Sequence, residues 1–100
     1  MRYPKPRMAR SPRWPAVRSA FLVGKVCAVC GRSDALVPHH IYPVHLFPEL
    51  ELNPGNLIAL CEGRTVNCHL AVGHLFNWAS YNKDVVADAA WITQKVKDRP

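Results

Sequence analysis

Ala35-Leu36-Val37-Pro38-His39-His40-Ile41 is the stretch on which the fold turns. The apolar run Ala35-Leu36-Val37 predicts a short strand that delivers Pro38, His39 and His40 at its end. Successive side chains of a strand point to opposite faces, so His39 and His40 leave it on opposite sides. Two neighbouring imidazoles so placed are suited to two different jobs.

Cysteines lie outward from the histidines in both directions. Upstream, Cys27-Ala28-Val29-Cys30-Gly31 is a knuckle: the two-residue spacer lets both thiolates reach one metal, and Gly31 permits the turn toward it. No βαβ pattern of the kind a redox dithiol needs surrounds it. Downstream, Asn53-Pro54-Gly55-Asn56 is turn chemistry, and Leu57-Ile58-Ala59-Leu60 predicts a second strand ending at Cys61. Cys68 leads straight into His69, and Asn67 or Thr65 can cap a helix through Cys68-His69-Leu70-Ala71-Val72, which Gly73 weakens.

Two cysteine pairs about thirty residues apart match a structural zinc site that ties distant segments together. The six-residue spacer between Cys61 and Cys68 is wider than in an ordinary knuckle, which makes His69 an alternative fourth ligand. Cys68 is preferred, because the start of a helix lets Cys68 and His69 face different metals.

One hundred residues make one small domain, which buries only about 60 to 70% of the unfolded chain's surface and gains from a staple. Pro4, Pro6, Arg7, Arg10, Pro12 and Arg13 interrupt any apolar run near the N-terminus, so no signal-peptide pattern is expected. No apolar run approaches the roughly 20 residues that span a bilayer. The expectation is a soluble, cytoplasmic protein without a membrane partner, whose thiols stay reduced and therefore available to metal.

The formal charge of +6 is unevenly placed. Residues 1–25 carry seven basic side chains and no acid, whereas residues 26–100 carry six basic and seven acidic ones. The whole excess belongs to an N-terminal arm, the pattern of a segment that neutralises phosphates. Arg7, Arg10, Arg13 and Arg18 are its candidate nucleic-acid contacts, with a solvated tail as the plain alternative.

Residues 1–13 read as an extended or disordered, flexible basic arm. Trp14, Val17, Phe21 and Leu22 fall at helical spacing behind Pro15, which predicts a short helix ending at Gly24. Tyr42 to Gly55 reads as a loop broken by Pro43, Pro48 and Pro54, where His45, Glu49 and Glu51 take solvated or structural roles. Trp78 and Tyr81 read as packing residues, with base stacking as the alternative. Val85, Ala89, Ile92 and Val96 share one stripe of a C-terminal helix from about Asp84 to Lys97, flanked by Trp91.

His39-His40, then Asn56-Leu57-Ile58-Ala59-Leu60-Cys61, then Cys68-His69 resemble the three elements of an HNH endonuclease, of the zinc-containing kind common in phages and bacteria. The likeness covers residues 14–82, with the arm at 1–13 and the C-terminal helix at 83–100. It implies a small α+β protein with the ββα-metal (His-Me finger) fold, a structural zinc site and flanking helices. It further implies that His40, Asn56 and His69 are the name-giving catalytic residues, and that Cys27, Cys30, Cys61 and Cys68 hold structural zinc.

Following the family, His40 is the general base, a role suited to an imidazole whose ordinary pKa is near 6.5. His39 and His69 bind the catalytic divalent ion, Mg2+, Mn2+ or another, and Asn56 holds the loop between the strands. A third ion ligand is often a histidine four residues after the last motif histidine; here that position is Gly73, and His74 follows as a candidate. On a regular helix His74 sits about 100° off the His69 face. The function implied is metal-dependent hydrolysis of phosphodiesters in double-stranded DNA. The alternative is a non-catalytic zinc-stabilised module that binds nucleic acid or a protein partner, such as a phage packaging component.

Overall fold

The computed structural model describes residues 10–100. Arg7, one of the four arginines assigned to nucleic acid, lies outside the described residues. The element order is helix α1 (Trp14–Leu22), strand β1 (Leu36–His40), strand β2 (Leu57–Cys61), a helical turn over His69–Gly73 and helix α2 (Val85–Asp98). The fold is a small α+β arrangement with a two-stranded antiparallel sheet and a cluster of four cysteines, consistent with a ββα-metal fold. None of the described helices is long and apolar enough to cross a membrane.

β1 ends on the two histidines, with His39 opposite Ile58 and His40 opposite Leu57. All five β2 residues therefore have a partner in β1, and Leu36 faces Cys61 at the other end. This register carries the second cysteine pair back to the knuckle. Cys27 donates its N–H to the Arg32 carbonyl (2.8 Å), Ala28 donates to Ala59 of β2 (2.9 Å), and Gly31 sits at φ 81°. A positive φ is free for glycine and strained for other residues, which is what the turn after Cys30 requires.

The core is built on the cysteines. Cys27, Val29, Leu60, Cys61, Cys68, Val85 and Ala89 form one buried cluster, with Ile92 packed against it. Val85 and Ala89 are the buried residues of the α2 stripe, while Trp91 stays mostly exposed. Thr93 of α2 donates to the carbonyls of Ala28 and Val29 and so fastens the helix onto the knuckle. At its other end, buried Asn82 donates from Nδ2 to the Val72 carbonyl (3.0 Å) and from its N–H to Gly73 (2.9 Å). α2 thus holds both the zinc-type knuckle and the turn that carries His69.

That turn departs from the expected helix. His69–Gly73 is a single π-helical turn, preceded by Asn67, whose side chain accepts from the Leu70 N–H (2.9 Å). Bonding from i to i+5 widens the coil beyond 3.6 residues per turn, and His74 lies just past its end with φ −118° and ψ 6°. The 100° offset expected for His74 therefore does not apply.

Candidate metal centres and nuclease site

The four cysteine sulfurs all lie within 4.8 Å of one another, and all four cysteines are free thiols. Cys30 and Cys61 Sγ are 3.7 Å apart. Four thiolates about 2.3 Å from one zinc stand about 3.8 Å from each other, so the spacing suits a tetrahedral zinc site and not a disulfide. The Cys61 N–H donates to Cys27 Sγ at 3.4 Å, a bond that favours the thiolate. Burial acts to raise the Cys27 thiol, yet the N–H groups of Cys30, Val29 and Cys61 outweigh it and bring it down to about 7. Cys68 is pushed up by burial and by the neighbouring sulfurs. Four crowded thiols resist joint ionisation, and a divalent cation reverses that balance.

The second cluster is His39, His69 and His74, whose ligand nitrogens also lie within 4.8 Å of one another. His69 Nδ1 meets Glu62 Oε1 at 2.8 Å, and His74 Nδ1 meets the Ser80 carbonyl at 2.6 Å. Carboxylate and carbonyl oxygens only accept, so both Nδ1 atoms carry the proton and both Nε2 atoms present lone pairs. Those two Nε2 atoms stand 3.2 Å apart. Nitrogens about 2.0 to 2.1 Å from one ion have nearly this separation. Among the described residues His39 Nε2 is buried without a hydrogen-bond partner, a costly state that coordination relieves. Lone pairs, spacing and the unpartnered nitrogen all fit a divalent cation, and the Nδ1 partners supply the orienting bonds that metal-binding histidines ordinarily have.

His40 lies on the other face of β1 and belongs to neither cluster. Its Nε2 donates to the Glu51 carbonyl at 2.9 Å, which leaves Nδ1 as the basic nitrogen. Burial lowers its pKa, outweighing the Glu51 carbonyl that favours the charged form, and Arg10 adds to the lowering. The ring is therefore neutral at pH 7 and able to accept a proton. Burial, followed by the neighbouring His69, His74 and His40, holds His39 down to about 2.

Asn56, 4% exposed, pins the loop between the strands. Its side chain accepts from the Tyr42 N–H (2.9 Å) and donates to the carbonyls of Tyr42 (3.0 Å) and Leu50 (3.4 Å). Leu50 precedes Glu51, so the same loop that Asn56 fixes carries the carbonyl that orients His40.

A cleft of about 650 Å3 joins these parts, lined by His39, His40, His69 and His74 together with Arg10, Arg18, Glu62 and Trp78. Arg13 is exposed and does not line it. His45 also lines the cleft but is exposed and stands in neither ligand group. Trp78, which reads from sequence as packing, lies half-buried with its ring 5.0 Å from His69 and 5.0 Å from His74. Glu62 and Ser80 do not stand out in the sequence. The signal available for Glu62 is its position directly after a predicted strand end, where site residues concentrate; the Ser80 contribution is a backbone carbonyl and leaves no mark in residue type.

Gly73 is required for space and not for φ. A Cβ there would stand 3.1 Å from His39 Cε1, His39 Nδ1 and Leu60 Cδ1. Gly73→Ala is expected to push His39 aside, lower stability by about 1 to 3 kcal/mol, and weaken divalent-ion binding while the cysteine-bound zinc is retained. Thermal melting together with metal analysis checks this outcome.

Comparison with known families matches residues 27–75 to the HNH endonuclease family. No curated protein and no solved structure matches the chain.

Proposed function

Residues 27–75 belong to the HNH endonuclease family, and on that premise we propose that the chain is a metal-dependent endonuclease hydrolysing DNA phosphodiester bonds with His40 as general base. HNH nucleases generally act on DNA. The observation that carries the reading is the division of labour on β1: His39 turns to a cluster of ligand nitrogens and His40 to a carbonyl that leaves its Nδ1 basic.

In the proposed mechanism His39, His69 and His74 would hold the divalent ion, Mg2+ or Mn2+, and the four cysteines structural zinc. When bound, the ion supplies positive charge that stabilises the developing phosphorane and the leaving 3′-oxygen. His40 Nδ1 takes the proton of the attacking water, while its Nε2–H stays bonded to Glu51 and fixes the ring. Asn56 holds the loop on which that carbonyl sits. Arg10 and Arg18 reach the cleft and would contact the phosphates that flank the scissile one.

Nicking of supercoiled plasmid by the purified chain tests the reading directly. Cutting is expected with added Mg2+, Mn2+ or Ni2+ and none in a chelator. DNA binding without cutting in every ion would instead leave a non-catalytic zinc-stabilised module, of the kind that serves a packaging complex.

The basic arm contributes sequence-independent affinity in this reading. Deleting residues 1–9, which removes Arg2, Lys5 and Arg7, is expected to flatten the dependence of log affinity on log salt by about 0.9 for each phosphate that the chain no longer neutralises. A salt titration of duplex binding reads this, and an unchanged slope removes the arm from the interface.

A further inference from the structure

The general base is held by more than its backbone partner. The Trp14 indole lies with its centroid 4.8 Å from that of His40 at an interplanar angle of 33°. The Arg10 guanidinium lies over the same indole, 5.4 Å from its centroid. α1 has no side-chain cap at Arg13 and no fully buried residue, and Ser11 closes its first turn by accepting the Arg13 N–H at Oγ (3.1 Å). Glu51 secures that turn. The Glu51 carboxylate accepts the Ser11 N–H at 2.8 Å, and the Ser11 carbonyl accepts the Trp14 N–H at 2.9 Å. Glu51 thus holds His40 twice: its carbonyl takes the ring's Nε2–H, and its carboxylate anchors the turn that lays Trp14 against the ring.

We propose that Trp14, anchored through Ser11 by the Glu51 side chain, is a positioning residue that fixes the plane of the His40 imidazole. The inference rests on the nuclease reading of the site. One hydrogen bond at Nε2 sets one edge of an imidazole but leaves rotation about that bond; an aromatic neighbour against the ring restricts it. Small displacements of a catalytic group carry large rate losses, which is why a neighbour that does not touch the reacting atoms can matter.

The experiment compares wild type, Trp14→Ala, Trp14→Phe and Glu51→Ala in the full zinc-bound chain. Single-turnover cleavage is measured at saturating duplex DNA and Mn2+. Trp14→Ala is expected to cut about ten- to a hundredfold slower even at saturating DNA, whereas Trp14→Phe keeps a ring and recovers most of the rate. Glu51→Ala keeps its carbonyl and loses only the Ser11 anchor, so a smaller loss in the same direction is expected. Added to His40→Ala, Trp14→Ala should cost nothing further.

Independently of cleavage, the His40 Nε2–H resonance should be slow to exchange in wild type and Trp14→Phe and fast in Trp14→Ala. A Trp14→Ala protein with wild-type rate and an unchanged resonance overturns the proposal, as does a loss confined to Kd. Failure of Trp14→Ala to fold leaves Glu51→Ala to decide, with wild-type rate and resonance again overturning it. If wild type itself does not cut, the nuclease reading fails, and the resonance alone decides whether Trp14 orients the ring.

Discussion

His40→Ala is expected to slow single-turnover cleavage by about 10^2- to 10^4-fold, the contribution of a positioned acid or base. Each tenfold loss corresponds to about 1.4 kcal/mol of barrier, so the upper end is about 5.5 kcal/mol. The structure explains why the loss should fall on the chemical step. His40 stands outside both groups of candidate metal ligands, so its removal leaves all seven of those residues in place. Among the described residues its ring is tied to the inter-strand loop and to Trp14, neither of which belongs to the metal clusters. DNA affinity, zinc content and divalent-ion affinity should therefore stay near wild type. His39→Ala is the informative contrast, since it removes a buried ring of the histidine cluster and should weaken ion binding first. Equal cleavage rates for wild type and His40→Ala in saturating ion would assign the base elsewhere.

Cys27→Ala is expected to lose zinc and the folded state together. Cys27 is 2% exposed, sits in the main core cluster, and accepts the Cys61 N–H through its sulfur. The free energy of structural zinc binding, about 10 to 16 kcal/mol in small zinc peptides, appears as folding free energy. A small domain has a total stability of only about 5 to 15 kcal/mol. With zinc at the four sulfurs, losing one thiolate is therefore expected to unfold this chain, even before the void left by the missing sulfur is counted. The zinc content should fall from about one per chain to near none, and the cooperative melting transition should disappear. A chain that keeps its melting temperature after zinc is stripped would show that the cysteines pack without serving as a scaffold.

The parts of this site readable in the sequence are those set by short-range geometry. A two-residue spacer places Cys27 and Cys30 together whatever surrounds them, and strand alternation separates His39 from His40. The turn at Asn56 before a strand is legible for a similar reason, whereas its place in the site comes from the family resemblance. His74 is not placed by the same logic. Its expected face is counted on a regular helix, whereas the turn after Cys68 is π-helical, and its last carbonyls are satisfied by Asn82 from the approach to α2. That bond is a tertiary event with no local mark.

Trp14 shows the complementary limit. Helical spacing assigns it to an apolar stripe, and it is indeed a half-buried residue of α1. Its neighbour across the fold is nevertheless His40, brought there by a Ser11–Glu51 bond spanning forty residues. Glu51 itself reads in the sequence as solvated or structural, and only the fold shows that its carbonyl meets His40 and its carboxylate meets Ser11.

Two clusters are expected to hold two ions with separate duties, four sulfurs for the scaffold and three imidazoles for the chemistry. Anomalous diffraction from crystals of the zinc-bound chain soaked in Mn2+ tests it most directly. The expected result is a zinc peak among the sulfurs of Cys27, Cys30, Cys61 and Cys68, and a manganese peak bounded by Nε2 of His39, His69 and His74. A zinc peak alone, with no density between those three imidazoles at saturating Mn2+, would contradict it.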